Sequence, residues 1–252
     1  MILSRISHAI RTQNWFAVVL EFVIVIAGVV IGFQVTEWRS EQADRHLETY
    51  YVERLHADLV GTLDDYFRLM EWDETQLEAQ DVALDALRTC SLDGVDRATF
   101  VRGVVLAGNI NPVPLRWGTV NELEATGNIA LIRDLGLRER LARVDGQTVR
   151  YSAITEGLRQ DISLHRPLIS SLVDVTEYGY SVDTNFDARF DFDELCTTQS
   201  FTGALSVIRL RSDILVTFNH GQMEHIAELE SYLASTLGVD PSERPDGEEA
   251  AP

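Results

Sequence analysis

The chain has 252 residues, of which 45% are hydrophobic, and its formal net charge is −19 at pH 7. A charge of this sign disfavours binding to the phosphates of nucleic acids and to anionic lipid surfaces, so we expect no nucleic-acid partner. Roughly 200 residues follow an apolar stretch near the amino terminus, which is enough chain for one domain with a sizeable core.

Residues 1–14 have the pattern of a short amphipathic helix. Their apolar side chains recur at helical spacing and are Ile2, Leu3, Ile6 and Ile10. Such a segment can lie at the cytoplasmic interface of a membrane, although a frayed terminus has the same pattern. Basic residues precede the apolar stretch without an acid, whereas acids outnumber them after it. This asymmetry predicts a cytoplasmic amino terminus and a periplasmic main domain, anchored in a bacterial inner membrane.

The apolar stretch from Trp15 to Trp38 predicts a single transmembrane helix. It reads WFAVVLEFVIVIAGVVIGFQVTEW, and its apolar run contains only Glu21 and Gln34 as strongly polar members. A helix needs roughly 20 mostly apolar residues to cross the hydrocarbon core, and tryptophan favours the two interfaces. A cleaved signal peptide would have a shorter apolar run and a small-residue cleavage site. We therefore expect an uncleaved anchor over residues 15–38.

One face of this helix carries Glu21, Gly28 and Gly32, which lie within about 40° of one another at helical spacing. The two glycines form a GxxxG motif, which lets two helix backbones approach closely. A carboxyl group at that depth is costly unless it is protonated, paired or able to reach water. The face predicts a helix–helix contact with a second copy of the chain or with a partner membrane protein. Glycines are also common in spanning helices that make no such contact.

Two stretches resemble a family of uncharacterised single-pass bacterial membrane proteins that carry a domain of unknown function. Glu21, Gly28, Gln34 and Trp38 match the pattern E-x6-G-x5-Q-x3-W, although Val-Thr-Glu replaces the family's asparagine-rich stretch before the tryptophan. The residues from Glu122 onward, ELEATGNIALI, match a second pattern, E-L-x3-G-N-x2-L-I. The resemblance covers a minority of the chain. It implies a topology and an architecture, and it implies no reaction.

Residues 39–238 have the periodicity of an all-α domain, an antiparallel bundle that continues from the transmembrane helix. Nothing breaks the helical pattern directly after Trp38. We expect a bend near Gly61 and a return turn before or around Asp73.

Two further signals concern the ends of helices. Thr119 and Glu122 have the spacing of a capping box, which predicts a helix that starts at this point and stops at Gly127. Pro167 is expected to end or kink the long helix that precedes it. Residues 239–252 are polar, acidic and contain proline, which is typical of a disordered tail.

Cys90 and Cys196 are the two cysteines of the chain. In a periplasm such a pair can form a disulfide, which would close a long loop and contribute about 4–5 kcal/mol to stability. The alternative is a pair of separate thiols, because the sequence does not give the distance between them.

An acidic loop over residues 183–194 has a partial calcium-loop pattern. Oxygen donors occupy the first, third, fifth, ninth and twelfth positions and are Asp183, Asn185, Asp187, Asp191 and Glu194. A hard cation prefers such ligands. Ala188 stands where the pattern requires glycine, and the flanking sequence does not favour two helices. A solvated loop held by its phenylalanines is the alternative.

The sequence contains no recognisable catalytic arrangement. His220 and His225 are separated by five positions, about 140° apart on a helix, so they do not form the zinc motif that requires histidines four positions apart. No GxSxG turn and no phosphate-binding glycine loop occur. We therefore expect no enzyme, metal or cofactor, and we interpret the chain as a membrane-anchored interaction or scaffold protein. A periplasmic ligand or calcium sensor that uses the 183–194 loop is the alternative function.

Overall fold

The computed structural model describes residues 15–177 and 187–241, without the side chains of Trp15 and Ala17. The predicted lead-in over residues 1–14, the first positions of the acidic loop and the tail from residue 242 lie outside the described residues. In chain order the elements are α1 (Trp15–Thr89), α2 (Arg97–Val105), α3 (Gly118–Thr126), a 3-10 turn (Asn128–Leu131), α4 (Leu135–Leu172), β1 (Asp174–Glu177), β2 (Asp187–Arg189), α5 (Phe192–Thr197) and α6 (Gln199–Leu237). The predicted all-α class is confirmed.

The chain divides into two compact units, and the first ends at Tyr51. Its described part is the beginning of α1, where the large apolar side chains between Phe16 and Trp38 are exposed. The most apolar 18-residue window has a mean hydropathy of 2.6, and none of it is buried. This helix is therefore long and apolar enough to cross a membrane.

The second unit begins at Val52 and contains three long helical segments, from α1, α4 and α6, among its described residues. The α1 residues His56 and Asp81 contact Glu230 and Arg209 of α6, so the partner numbers fall as the α1 numbers rise. Helices α4 and α6 are antiparallel by the same criterion, since Asp134 contacts Tyr232 and Asp161 contacts Arg211. Their facing sides supply the core, which includes Leu55, Leu59, Leu63, Leu137, Leu141, Ile162, Leu205, Ile208, Ile226 and Leu233.

The predicted return turn around Asp73 is wrong, because α1 continues to Thr89 without interruption. Asp73 is buried within the second unit, so it belongs to the interior face of the helix and not to a turn. Gly61 also lies inside the helix. A Cβ atom at this position would overlap the guanidinium group of Arg116, so the glycine leaves room for that side chain.

Pro167 does not end its helix, because α4 extends five residues beyond it, to Leu172. The alternative, a kink at Pro167, stays a prediction. Ile162 and Ile169 are buried on either side of the proline. Packing of this face against the core compensates for the hydrogen bond that proline cannot donate.

Helix α3 begins differently from the predicted capping box. Trp117 is the N-cap residue and makes no side-chain cap hydrogen bond. Thr119 instead donates two hydrogen bonds, from its backbone nitrogen and its hydroxyl, to Oδ2 of Asp58 on α1 at 3.2 and 2.7 Å. A carboxylate near a helix amino terminus is favourable because it accepts from unpaired N–H groups. The predicted stop at Gly127 is confirmed, since this residue is the C-cap with a φ of 73°.

Helix α2 packs closely on α1 through Gly103. A Cβ atom at this position would overlap the backbone carbonyl of Ala79 and touch the side chain of Ala83. The backbone carbonyl cannot move without disturbing α1, so even the smallest side chain is excluded there.

We predict that Gly103→Ala destabilises the chain by about 3 kcal/mol, because overpacking against backbone strains both helices. Gly157→Ala is the matched control, since a Cβ atom at Gly157 meets nothing within 4 Å. The control should gain about 1 kcal/mol from helix propensity. Chemical unfolding of the full chain in detergent, followed by circular dichroism, measures both. Equal stability of the two variants would contradict the close packing of α2 on α1.

Candidate functional sites

The predicted contact face of the apolar helix is open. Glu21, Gly28 and Gly32 are exposed, and a Cβ atom at either glycine would meet nothing within 4 Å. Thr36, one turn after Gly32, donates its hydroxyl to the Gly32 carbonyl at 3.0 Å, which leaves the backbone bond pattern of the helix intact. The described residues therefore bring no partner to this face, and the helix–helix contact stays a prediction.

Cys90 and Cys196 are joined by a disulfide in the structure, with Cα atoms 5.5 Å apart. Cys90 follows the last residue of α1, and Cys196 lies in α5. The bond therefore links the end of α1 to a helix that is 106 positions away in the sequence. The sequence alone did not show that Cys90 and Cys196 are close in space.

The two sulfur atoms and a carboxylate oxygen of Asp193 lie within 4.8 Å of one another. Thiolates are metal ligands, whereas disulfide sulfurs are not available as thiolates. The disulfide-bonded form of this cluster therefore offers a metal one carboxylate only.

The described part of the acidic loop uses its carboxylates within the fold. Asp187 accepts a hydrogen bond from the backbone nitrogen of Ala188 at 2.8 Å and lies 3.3 Å from the Arg97 guanidinium. Asp191 caps α5 by accepting from the Glu194 nitrogen at 3.2 Å. The calcium pattern requires a helix before the loop. The described segment before the loop is instead strand β1, which pairs with β2. Asp183 and Asn185 lie outside the described residues, so calcium binding stays a prediction.

The two histidines of the sequence analysis lie on the same helix. His220 and His225 are both on α6 and half-buried. A third histidine, His56, lies on α1. The structure places its Nε2 atom 3.0 Å from Oε1 of Glu230, a carboxylate that is 1% exposed.

A chain of buried hydrogen bonds joins the three long helices. The Tyr151 hydroxyl on α4 donates to Oδ1 of Asn219 on α6. The Asn219 amide donates to Oδ2 of Asp73 on α1 at 3.3 Å. Tyr151, Asn219 and Asp73 are 8%, 2% and 1% exposed, so these hydrogen bonds lie within the core.

Burial changes the acidity of these groups. Desolvation raises the pKa of Asp73 to about 7, and the hydrogen bond from Asn219 lowers it only partly. Desolvation also raises the pKa of Tyr151, with a further contribution from the charge of Asp73. The pKa of Tyr66 is raised by burial first and by Tyr151 second. A carboxyl group at this site therefore exchanges its proton near neutral pH.

Further polar side chains are buried on the facing sides of α1 and α6. Gln76, Gln80 and Ser212 are at most 1% exposed, and their polar side-chain atoms have no hydrogen-bond partner. One oxygen of Asp73 and the Tyr66 hydroxyl are also unpaired. Each buried polar atom without a partner lowers the free energy of unfolding by about 1–3 kcal/mol. The presence of these residues in the core is therefore not explained by a contribution to stability.

Sequence reasoning missed this polar cluster for a physical reason. Its members occur at apolar-face positions of helices, and the sequence alone does not distinguish a buried glutamine from an exposed one. A signal was nevertheless present. Tyr66, Asp73, Gln76 and Gln80 fall on one helical face at intervals of three, four and seven, the spacing of core positions.

Comparisons with protein-family models, curated proteins and solved structures gave no match. The resemblance to an uncharacterised membrane family, based on residues such as Glu21 and Gly127, therefore stays a prediction.

We predict that Asp73→Asn stabilises the chain at pH 8. The folded state holds the Asp73 proton at pH values where the unfolded chain has lost it. Protonated Asp73 contributes to the free energy of unfolding. This contribution is fully present below about pH 4, near the pKa of the unfolded chain, and is lost as the pH rises through about 7, the pKa in the folded state. The difference between the two pKa values corresponds to at most about 4 kcal/mol. Asparagine keeps an oxygen acceptor for Asn219 and carries no charge.

The measurement is the melting temperature of the full chain and of the variant from pH 4 to pH 8. The variant should melt higher at pH 8, and the two curves should converge toward pH 4. Asp64→Asn, which changes an exposed carboxylate on the same helix, is the control for general charge effects. Parallel curves for Asp73→Asn and wild type would contradict the raised pKa.

Proposed function

We propose that this chain is a single-pass protein of the bacterial inner membrane that works by binding other molecules through a periplasmic helical domain. The observation that carries the proposal is the exposed, apolar beginning of α1, with its mean hydropathy of 2.6 and no buried part. A helix of this composition that buries nothing in its own fold requires an apolar environment, and a lipid bilayer supplies one.

The disulfide supports the proposed orientation. Stable disulfides occur in oxidising compartments such as the periplasm and are rare in the bacterial cytosol. Cys90 and Cys196 both belong to the second unit, which follows the apolar helix. An oxidised pair on that side of the helix agrees with the positive charges of Arg5 and Arg11 on the other side.

The open face of Glu21, Gly28 and Gly32 supports a partner within the membrane. Two glycines one turn apart allow close backbone contact, and a neighbouring carboxyl group gains from a hydrogen-bond partner where lipid offers none. A second copy of this chain satisfies both requirements, because each helix then presents the same face to the other. A different membrane protein with a polar group at that depth also satisfies them.

We predict that alkaline phosphatase fused after Asp240 is active and that the same enzyme fused after Arg11 is inactive. The phosphatase folds only in an oxidising compartment, so its activity reports the side of the membrane. An expressed but inactive fusion at Asp240 would overturn the proposed orientation.

The state of the cysteines gives an independent check of the same proposal. Maleimide labelling of intact cells should modify Cys90 and Cys196 only after reduction. The Cys90→Ser variant should lose up to about 4–5 kcal/mol of stability, since the bond closes a loop of more than a hundred residues. Labelling of both thiols without a reductant would contradict the oxidising location.

We predict that a photo-crosslinking residue in place of Val25 captures a partner in native membranes. Val25 lies on the face of Glu21 and Gly28, whereas Val30 lies on the opposite side of the helix and is the matched control. A product of twice the monomer mass identifies self-association, and another mass identifies a partner protein. Products from Val30 alone, or equal products from both positions, would overturn the proposed face.

A further inference from the structure

A groove between α4 and α6 has a volume of about 360 Å³, within the range of small-molecule sites. Gln147, Arg150 and Ile154 line it from α4, and Phe218, Gly221 and Gln222 line it from α6. A separate cavity of about 10 Å³ shares Gln147 with this lining. The groove therefore has the size of a small-ligand site.

The charge of the lining favours an anion. The chain carries a net charge of −19, yet the lining contains no acidic residue. Arg150 is exposed at the groove and forms no ion pair with a described residue. A guanidinium group binds a carboxylate through two parallel hydrogen bonds, which makes Arg150 the candidate contact for a carboxylate.

The amides of the lining favour hydrogen-bond donors on the same ligand. Gln147 and Gln222 each have a buried side-chain oxygen without a hydrogen-bond partner. The Gln222 nitrogen donates to the Thr148 hydroxyl at 3.2 Å. Rotation about the last torsion of a glutamine is soft, so a small rotation of either amide can turn its oxygen toward the groove. An N–H or O–H group of a ligand in the groove can then pair with these oxygens.

An apolar part of the ligand has its own contacts. Phe218 is 37% exposed and Ile154 is half-buried, and both line the groove. Gly221 leaves the space between the helices open, since a Cβ atom there would meet nothing within 4 Å. Covering these side chains removes apolar surface from water, which is favourable.

We propose that this groove binds a small amphipathic carboxylate that also carries an N–H or O–H donor, such as an amino acid or hydroxy acid with an apolar side chain. Arg150 binds the carboxylate, the Gln147 and Gln222 oxygens accept from the donor, and Phe218 and Ile154 contact the apolar group. This inference concerns the second unit alone, so it is independent of the membrane anchor and of its orientation.

The test is calorimetric titration of the full chain in detergent with L-phenylalanine, L-leucine and phenyllactate. Phenylacetate, which lacks the donor, and phenethylamine, which lacks the carboxylate, are the comparison probes. We expect saturable binding of at least one of the first three compounds. Phenylacetate should bind up to about tenfold more weakly, because it lacks one hydrogen bond to the glutamine oxygens. Phenethylamine should not bind, because it lacks the carboxylate that pairs with the Arg150 guanidinium.

Two pairs of variants locate the binding. Arg150→Gln removes the proposed carboxylate contact, and Arg159→Gln removes an exposed charge from the same helix outside the groove. Gly221→Leu fills the groove, and Gly203→Leu adds the same side chain at another open position of α6. Arg150→Gln should weaken binding at least about tenfold, since one lost charged hydrogen bond has this effect. Gly221→Leu should weaken it at least as much, because the leucine side chain occupies the space of the ligand. The second member of each pair should leave binding unchanged.

The proposal is overturned if none of L-phenylalanine, L-leucine and phenyllactate binds with a Kd below about 10 mM, an affinity weaker than a few hydrogen bonds provide. It is also overturned if phenethylamine binds as well as L-phenylalanine, or if Arg150→Gln and Gly221→Leu bind like their controls. Circular dichroism of each variant verifies that the helices are intact, so that weaker binding reports the groove and not unfolding.

Discussion

The buried hydrogen bonds from Tyr151 to Asn219 and from Asn219 to Asp73 are the constraint on which the second unit depends. Apolar side chains on three long helices can pack in several registers, because one leucine replaces another at a small cost. A buried amide and a buried carboxyl group cannot be shifted in this way, since each misplaced partner leaves an unsatisfied polar atom that costs about 1–3 kcal/mol. These two buried hydrogen bonds therefore select one register of α1, α4 and α6. They do so at the expense of stability, because the same layer contains the unpaired amides of Gln76 and Gln80.

The apolar part of α1 imposes a second constraint, which acts on the environment of the chain. Large side chains such as Phe16 and Phe33 are 75% and 72% exposed. Leaving one such side chain in water forgoes about 1.5–3 kcal/mol, so the whole segment forgoes on the order of 20 kcal/mol. Covering the segment with lipid, with another helix or with both would recover this free energy, which is why its composition favours a membrane-spanning helix.

The sequence predicted the features that are encoded locally. The apolar helix follows from a continuous run of side chains, and the stop at Gly127 follows from a residue at the helix end itself. The predicted return turn at Asp73 is wrong because the hydrogen-bond partner that accompanies the burial of this acid, Asn219, is 146 positions away in the sequence. The predicted capping box is wrong because Asp58, on a different helix, supplies the acceptor. Helical spacing can place Tyr66, Asp73, Gln76 and Gln80 on one face, but it does not identify the distant residues that face them. The polar cluster and the α4–α6 groove both consist of contacts between such distant residues.

Tyr151 connects the groove to the buried carboxyl group, because it lines the former and begins the hydrogen-bond chain that ends at Asp73. A ligand in the proposed groove would lie against Tyr151, the hydrogen-bond partner of Asn219. Asn219 is the one described side chain that donates a hydrogen bond to Asp73. This bond favours the ionised form, so whatever weakens it favours protonation. If a ligand in the proposed groove weakened this bond, occupation of the groove and protonation of Asp73 would change each other's free energy by equal amounts. A pKa of about 7 places that exchange at neutral pH, where a small change in the Asn219 contact alters the proton occupancy most. The buried Asp73 carboxyl group is in this way connected, through Asn219 and Tyr151, to the groove at the surface of the bundle.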